Sequence, residues 1–352
     1  MFDVIHSIVS ITPDRPWGID IVNYFYLTGI SVANFIIASL FYVFKNDKYK
    51  NISLFALLLA IAFFIPAPFN LIDDLHQPGR IPNFFLYGWE NFPTSPMKWG
   101  VLLLMSYFMV LFFSLFLVLK KASEKIIKFI FCIGIIIGCG VEFYTAYIIG
   151  ILYPFPLIHT PIMPLLFLAS ALASGSGMLI LVYIFVKKYY YKDETSYIFK
   201  NISPVTKVMV FAILSDILFR IFWLSFASVF NGNDKYLILD LLSKDGVFTF
   251  GIDMGLCLLL PFLISISFLK NNLKFLFLAG FLTALGAWLF RWFLVIGGQS
   301  FMKMTPSFLE YRLNLFGEGS IMSIIANWSI AIAMIAFIIV IFENKLAPKQ
   351  GE

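Results

Sequence analysis

Apolar runs about 20 residues long recur from one end of the chain to the other, and this feature limits the fold more than any other. A run of that length crosses the ~30 Å hydrocarbon core of a bilayer as a helix rising 1.5 Å per residue. About nine such runs can be drawn, at roughly 18–44, 51–72, 98–119, 126–151, 163–186, 206–229, 247–268, 274–296 and 320–342. They are continuously apolar rather than alternating, which argues against a transmembrane barrel. Hydrophobic residues make up 61% of the 352 positions and charged residues 13%, with a mean hydropathy of +0.91. Soluble domains carry about 25% charged residues. A soluble enzyme, a disordered chain and a nucleic-acid binder are therefore excluded. The expected class is an all-α polytopic membrane protein whose immediate environment is the lipid bilayer.

Lysine and arginine give the expected orientation. Sixteen of the 25 lie after the first, third, fifth and seventh runs or in the C-terminal tail, against seven on the opposite side. Because basic residues mark the cytoplasmic face, the N-terminus is expected outside and the C-terminus inside. The net charge of +5 follows from the same bias and calls for no acidic partner. The opening segment Met1–Trp17 lacks a basic stretch and carries Asp3, Pro13, Asp14 and Pro16, so it does not read as a signal peptide.

The first run ends SLFYVFK at Ser39–Lys45 and the fifth LVYIFVK at Leu181–Lys187. Small residues precede both at the same distance: Gly29, Ser31 and Ala33 in one, Gly175, Ser176 and Gly177 in the other. Two readings fit, a parallel repeat of four-helix units or ordinary likeness between apolar helices. The repeat divides the chain into an external segment 1–17, a first bundle 18–151 and a second bundle 152–296. Residues 297–352 then form an additional helix and a cytoplasmic tail.

Cys132, Cys139 and Cys257 lie in apolar runs and form no C-x-x-C pair, so neither a disulfide framework nor an iron–sulfur site is expected. A bis-histidine haem needs two histidines at membrane depth. His6, His76 and His159 all fall outside the runs, so haem and other metal sites are not expected in this chain.

Ionisable residues within the runs are more informative, since each costs a few kcal/mol or more at the bilayer centre unless paired or hydrated. These are Glu142, Asp216, Arg220, Asp253 and Arg291, with Asp20 near the start of the first run and Asp74 closing the second. Asp216 and Arg220 are four apart and share a helix face. They fit either an interhelical clamp or a proton path with Glu142 and Asp253. By helical rise, Glu142, Asp253, Arg291 and Asp74 all sit toward the outer side, which predicts a polar pocket opening outward. Tyr144 and Tyr147 share a face above Gly140; Tyr144 suits hydrogen bonding to a carbonyl ligand, or an interfacial aromatic belt.

The external connection DDLHQPGRIPNFFLYGWENFPTSPMKWG, residues 73–100, and the loop YPFPLIHTPIM, residues 152–162, are stiffened by proline. They suit a docking platform for a peripheral subunit. Thr94 or Ser95 before Pro96 supplies a helix-start signal.

Taken with YFYLTGIS (Tyr24–Ser31), DLHQPGR (Asp74–Arg80), NFPTSPMKWG (Asn91–Gly100), EFYTAYIIG (Glu142–Gly150), PLIHTPIMPLLFLASALASG (Pro156–Gly175) and RWFLVIGGQ (Arg291–Gln299), the sequence resembles the NrfD/PsrC family of polysulfide-reductase membrane subunits. The resemblance covers about residues 17–299 and leaves the last run unmatched. It implies two four-helix bundles with a quinone site near the outer surface, in the membrane anchor of a respiratory oxidoreductase. That anchor exchanges electrons between menaquinol or ubiquinol and an external iron–sulfur subunit. The latter serves a catalytic subunit, molybdenum-containing or multihaem.

By the same resemblance Tyr144 holds one quinone oxygen, and Asp74, with His76 near it, takes part in proton exchange. Tyr24, with Asn23 beside it, stands where some members place a histidine. Arg80 and Arg291 match recurrent basic positions that support the site. The resemblance also implies a prokaryotic cytoplasmic membrane. A secondary ion or proton transporter is the alternative, with Asp216, Arg220 and Asp253 lining its path.

Overall fold

A computed structural model describes residues 17–74, 78–152, 157–230, 247–299, 311, 313–317 and 319–346. The described residues are helical throughout their ordered elements, with no β-strand among them. Helix α1 spans Ile19–Tyr42. The second run is two helices, α2 (Lys50–Phe64) and α3 (Ala67–Asp74), because Pro66 lacks an amide hydrogen and interrupts the ladder. The Asn70 side chain donates to the Pro66 carbonyl at 3.0 Å across that break.

The connection after α3 contains a short helix, α4 (Ile81–Leu86). Then come α5 (Pro96–Leu119), α6 (Glu124–Gly150) and α7 (Met163–Phe185). Helix α8 spans Thr195–Phe230. A π-helical stretch, Val247–Leu259, runs into α9 (Leu260–Ile266). Helix α10 (Leu273–Trp292) continues as a π-turn over Phe293–Gly297, and α11 (Ile321–Ile341) precedes the short α12 (Glu343–Leu346). Among the described residues, eight segments are long and apolar enough to cross a membrane, and Gly251–Ile266 is a shorter apolar helix in the seventh run.

Two boundaries differ from expectation. Helix α8 begins at Thr195 rather than near 206, because its polar first turns are satisfied by neighbours. Asn201 donates to the Tyr183 hydroxyl at 2.9 Å and accepts from Asn51 at 3.1 Å. Ser95 does precede α5, but through its backbone carbonyl, which accepts from Lys98 and Trp99; its side chain makes no cap.

Helices α1 and α7 form the centre. The apolar stretch of α1 is 83% buried, against 22% for α5, which faces outward. The small residues at matching positions of the two helices let their backbones approach. Gly175 lies against Ala33 and the Ile30 carbonyl, and Asn34 donates to the Gly175 carbonyl at 3.3 Å. Gly177 in turn lies against the Gly280 carbonyl of α10. Helix α6 buries one face only, through Gly134, Gly138, Val141, Glu142, Thr145, Ala146 and Ile149, at the spacing of a single helical stripe.

Candidate functional site

A cavity of about 290 Å³ lies between α1, α3, α5 and α6, with α4 over it. Its lining is mostly apolar: Phe25 from α1, Leu71 and Ile72 from α3, Val101 and Leu104 from α5, Ile148 from α6, Phe84 and Phe85 from α4, and Trp17. Tyr24 near the start of α1, Asp74 at the end of α3, Gly100 early in α5 and Tyr144 late in α6 also line it. All of these belong to one end of the bundle.

Few polar groups face this space, so each stands out. The Tyr24 hydroxyl is buried and has no hydrogen-bond partner among the described residues. It lies within electrostatic range of both Tyr144 and Glu142. The Tyr144 ring and hydroxyl rest against Gly100, whose missing Cβ leaves room for them. An apolar slot with two phenols and a carboxyl can hold a flat ring by its faces and hydrogen-bond oxygens at its edges.

Lys98 fastens the roof. Its ammonium donates to the carbonyls of Phe84 and Tyr87, which the end of α4 leaves unpaired, and lies 4.7 Å from the centre of the Trp89 ring. Gly88 supplies the turn, with φ of +77° in the left-handed region. Trp89 and Trp99 donate to the Phe85 and Phe92 carbonyls, each at 2.7 Å. The described part of the connection between α3 and α5 is thus a self-bonded cap, not an open loop.

Other candidates from the sequence are placed elsewhere. Asn23 points away from the cavity: it donates to Asn70 at 2.7 Å and accepts from Trp328 at 3.0 Å. Arg80 is exposed, and it is the adjacent Ile81 that reaches the lining. His76 lies outside the described residues.

Of the four charged residues expected at a polar pocket, Asp74 lines the cavity, while Glu142, Asp253 and Arg291 do not. Glu142, Asp216, Arg220, Asp253 and Arg291 are all at most 1% exposed, and they pair with one another behind the cavity. Arg220 holds Asp216 through two bonds, at 3.1 and 2.9 Å, and also bonds Asp253 across to the π-helical stretch. Phe290 lies over the Arg220 guanidinium at 3.7 Å. The next residue, Arg291, is 3.6 Å from Glu142 and donates to the Phe25 carbonyl at 3.0 Å and the Ser170 hydroxyl at 3.1 Å. Both Glu142 oxygens lack hydrogen bonds among the described residues. Phe290, over Arg220, and Arg291, beside Glu142, are successive residues of α10, so the two sets adjoin.

Sequence reasoning missed the contribution of the third span. Gly100 stood in the P-T-S-P-x-x-W-G block, but nothing in one dimension says that Tyr144 packs on it. Trp17, Met97, Phe84 and Phe85 were equally hidden, because their role follows from how the cap closes.

The chain belongs to the NrfD family of polysulphide reductase membrane proteins, which matches residues 9–303. It is 25% identical to the Hdr-like menaquinol oxidoreductase integral membrane subunit of Archaeoglobus fulgidus, over 93% of this chain and 82% of that one. Against a polysulfide reductase chain of Wolinella succinogenes it is also 25% identical, over 81% of this chain and 95% of that protein. A selenate reductase subunit of Mesobacillus selenatarsenatis is 22% identical, over 95% and 85%. Among solved structures, a chain of the bd oxidase from Geobacillus thermodenitrificans superposes with a TM-score of 0.50 at 12% identity. It covers 92% of this chain and 98% of that one, a likeness of fold alone.

Proposed function

We propose that the chain is the quinol-binding membrane anchor of a multisubunit oxidoreductase. A menaquinol or ubiquinol head group enters the cavity from the bilayer, where Tyr144 and Tyr24 hydrogen-bond its oxygens. As the quinol loses two electrons and two protons, Asp74 takes the protons one after the other and passes each to the water outside. The electrons pass to an iron–sulfur partner docked on the capped external face, and from it to a catalytic subunit. The reverse reaction uses the same groups. The observation that carries this reading is the apolar cavity with two phenols and one carboxyl. The relatives' names, each a subunit or chain of a reductase or menaquinol oxidoreductase, support the assembly. The basic-residue bias supports an external N-terminus in a prokaryotic cytoplasmic membrane. The chain divides in this reading into units 18–151 and 152–296, led by α1 and α7, the two central helices, which pack on each other.

A photoreactive azido-menaquinone tests the site directly. Label is expected on peptides carrying Ile21–Phe25 and Met97–Met105, and excess unlabelled quinone should compete it away. Label confined to other helices would end this reading of the cavity.

A second reading, proton coupling, is favoured by the charge count of the buried cluster. Three acids face two bases there, and a net charge at membrane depth costs several kcal/mol unless something balances it. One proton shared within the cluster would do so. If quinol oxidation moves protons through Glu142, Asp216, Arg220 and Asp253, the complex purified from membranes and placed in liposomes should acidify one side beyond scalar release during turnover. Release of only the two scalar protons per quinol would rule coupling out.

A further inference from the structure

We infer that the ninth span, α11, is a brace that positions the cavity wall, with Asn327 as a positioning residue. This inference rests on the quinol reading of the cavity. The family match ends at residue 303, so α11 lies beyond it. Yet the helix is tied into the site by specific bonds. Asn327 donates to the Asn70 side-chain oxygen at 2.9 Å, and Asn23 donates to the same oxygen at 2.7 Å. Trp328, one residue on, donates to Asn23 at 3.0 Å, and its ring packs against Tyr26 and Phe63. Ser323, one turn earlier, bonds both Asp20, at 3.3 Å, and Asp73. At the other end the Lys187 ammonium, ion-paired to Asp193 at 3.2 Å, donates to the Leu346 carbonyl just beyond α11.

The bonded groups are the backs of the cavity walls. Asn23 precedes Tyr24 on α1. Asn70 and Asp73 lie on α3, whose Leu71, Ile72 and Asp74 face the cavity. Helix α3 has eight residues and is cut off from α2 at Pro66, so its own ladder holds it weakly. Asn70, fully buried, is where the restraint converges: its amide spans the break to Pro66 while its oxygen takes two donors. Removing the Asn327 donor leaves Asn70 one bond short and frees α3 to shift Asp74 and the apolar wall.

The test uses the full chain with Cys132, Cys139 and Cys257 replaced by serine and a nitroxide on Phe69→Cys, an exposed position of α3 outside the cavity lining. Asn327→Leu is expected to increase nitroxide mobility and to weaken binding of a menaquinol analogue roughly 10-fold, as for one lost buried hydrogen bond. Asn327→Gln, which keeps the donor, should recover most of the affinity. Ile338→Ala loosens α11 lower down, where it packs on α2 rather than α3. That variant should lower thermal stability without changing label mobility or affinity. An unchanged spectrum in Asn327→Leu overturns the brace, and so does an equal effect from Ile338→Ala. The label reports on α3 whether or not quinol binds. If the unsubstituted chain shows no saturable binding, the cavity reading falls, while the spectrum still decides the brace.

Discussion

Gly100→Ala is expected to weaken quinol binding more than removing the Tyr144 hydroxyl itself. A Cβ at position 100 would occupy the space of the Tyr144 ring, and both residues sit on long helices whose backbones cannot part without disturbing the bundle. The ring must rotate away, so the cavity loses its donor and part of its shape together. Tyr144→Phe keeps the ring and loses one hydrogen bond, a change of about 1–1.5 kcal/mol or roughly 10-fold in affinity. Gly100→Ala should lose on the order of 100-fold, since an overpacked contact adds about 1–3 kcal/mol of its own. Quenching of tryptophan fluorescence measures both, with Trp17 in the cavity wall as the local reporter. Wild-type affinity in both variants would remove Tyr144 from the site. A loss in Gly100→Ala with none in Tyr144→Phe would make the ring a packing surface and leave Tyr24 as the donor.

What could be read from the sequence, and what could not, follows from the range of the interactions. Each span was visible because twenty apolar residues in a row are a local signal. Tyr144 was legible from its chemistry and its helix face as well as by resemblance, Tyr24 by resemblance alone, and both line the cavity. Asn23 was reached by resemblance too, but its neighbour's direction did not carry over. Adjacent residues on a helix point about 100° apart, so a wall residue is followed or preceded by one facing elsewhere. Pro66 is plain in the sequence, yet its consequence, a separate α3 held by Asn70 and Asn327, joins positions that no local pattern links. The start of α8 was not legible because Asn201 is satisfied by Tyr183 and Asn51, partners that no local pattern supplies.

The buried charges show the same limit with larger energies attached. Asp216 and Arg220 were legible as an i, i+4 pair, whereas Asp253 and the Glu142–Arg291 contact come from other helices. This arrangement predicts that Arg220→Met is the most destabilising single change in the membrane core. It would leave Asp216 and Asp253 facing each other without their shared cation, and breaking a buried pair from one side costs about 3–5 kcal/mol. The triple variant Asp216→Asn, Arg220→Met, Asp253→Asn removes the charge altogether. It should recover most of that loss, because neutral groups of similar volume replace a buried ionic set at little net cost. Thermal unfolding in detergent compares the two. If Arg220→Met unfolds with the wild type, the cluster is hydrated and its ion pairs carry little of the fold. If the triple variant is stable and still binds quinol, it becomes the means of separating the two roles of the cluster. A clamp would then be dispensable for coupling, whereas a proton path would be lost with its carboxyls while the fold and the quinol site remain.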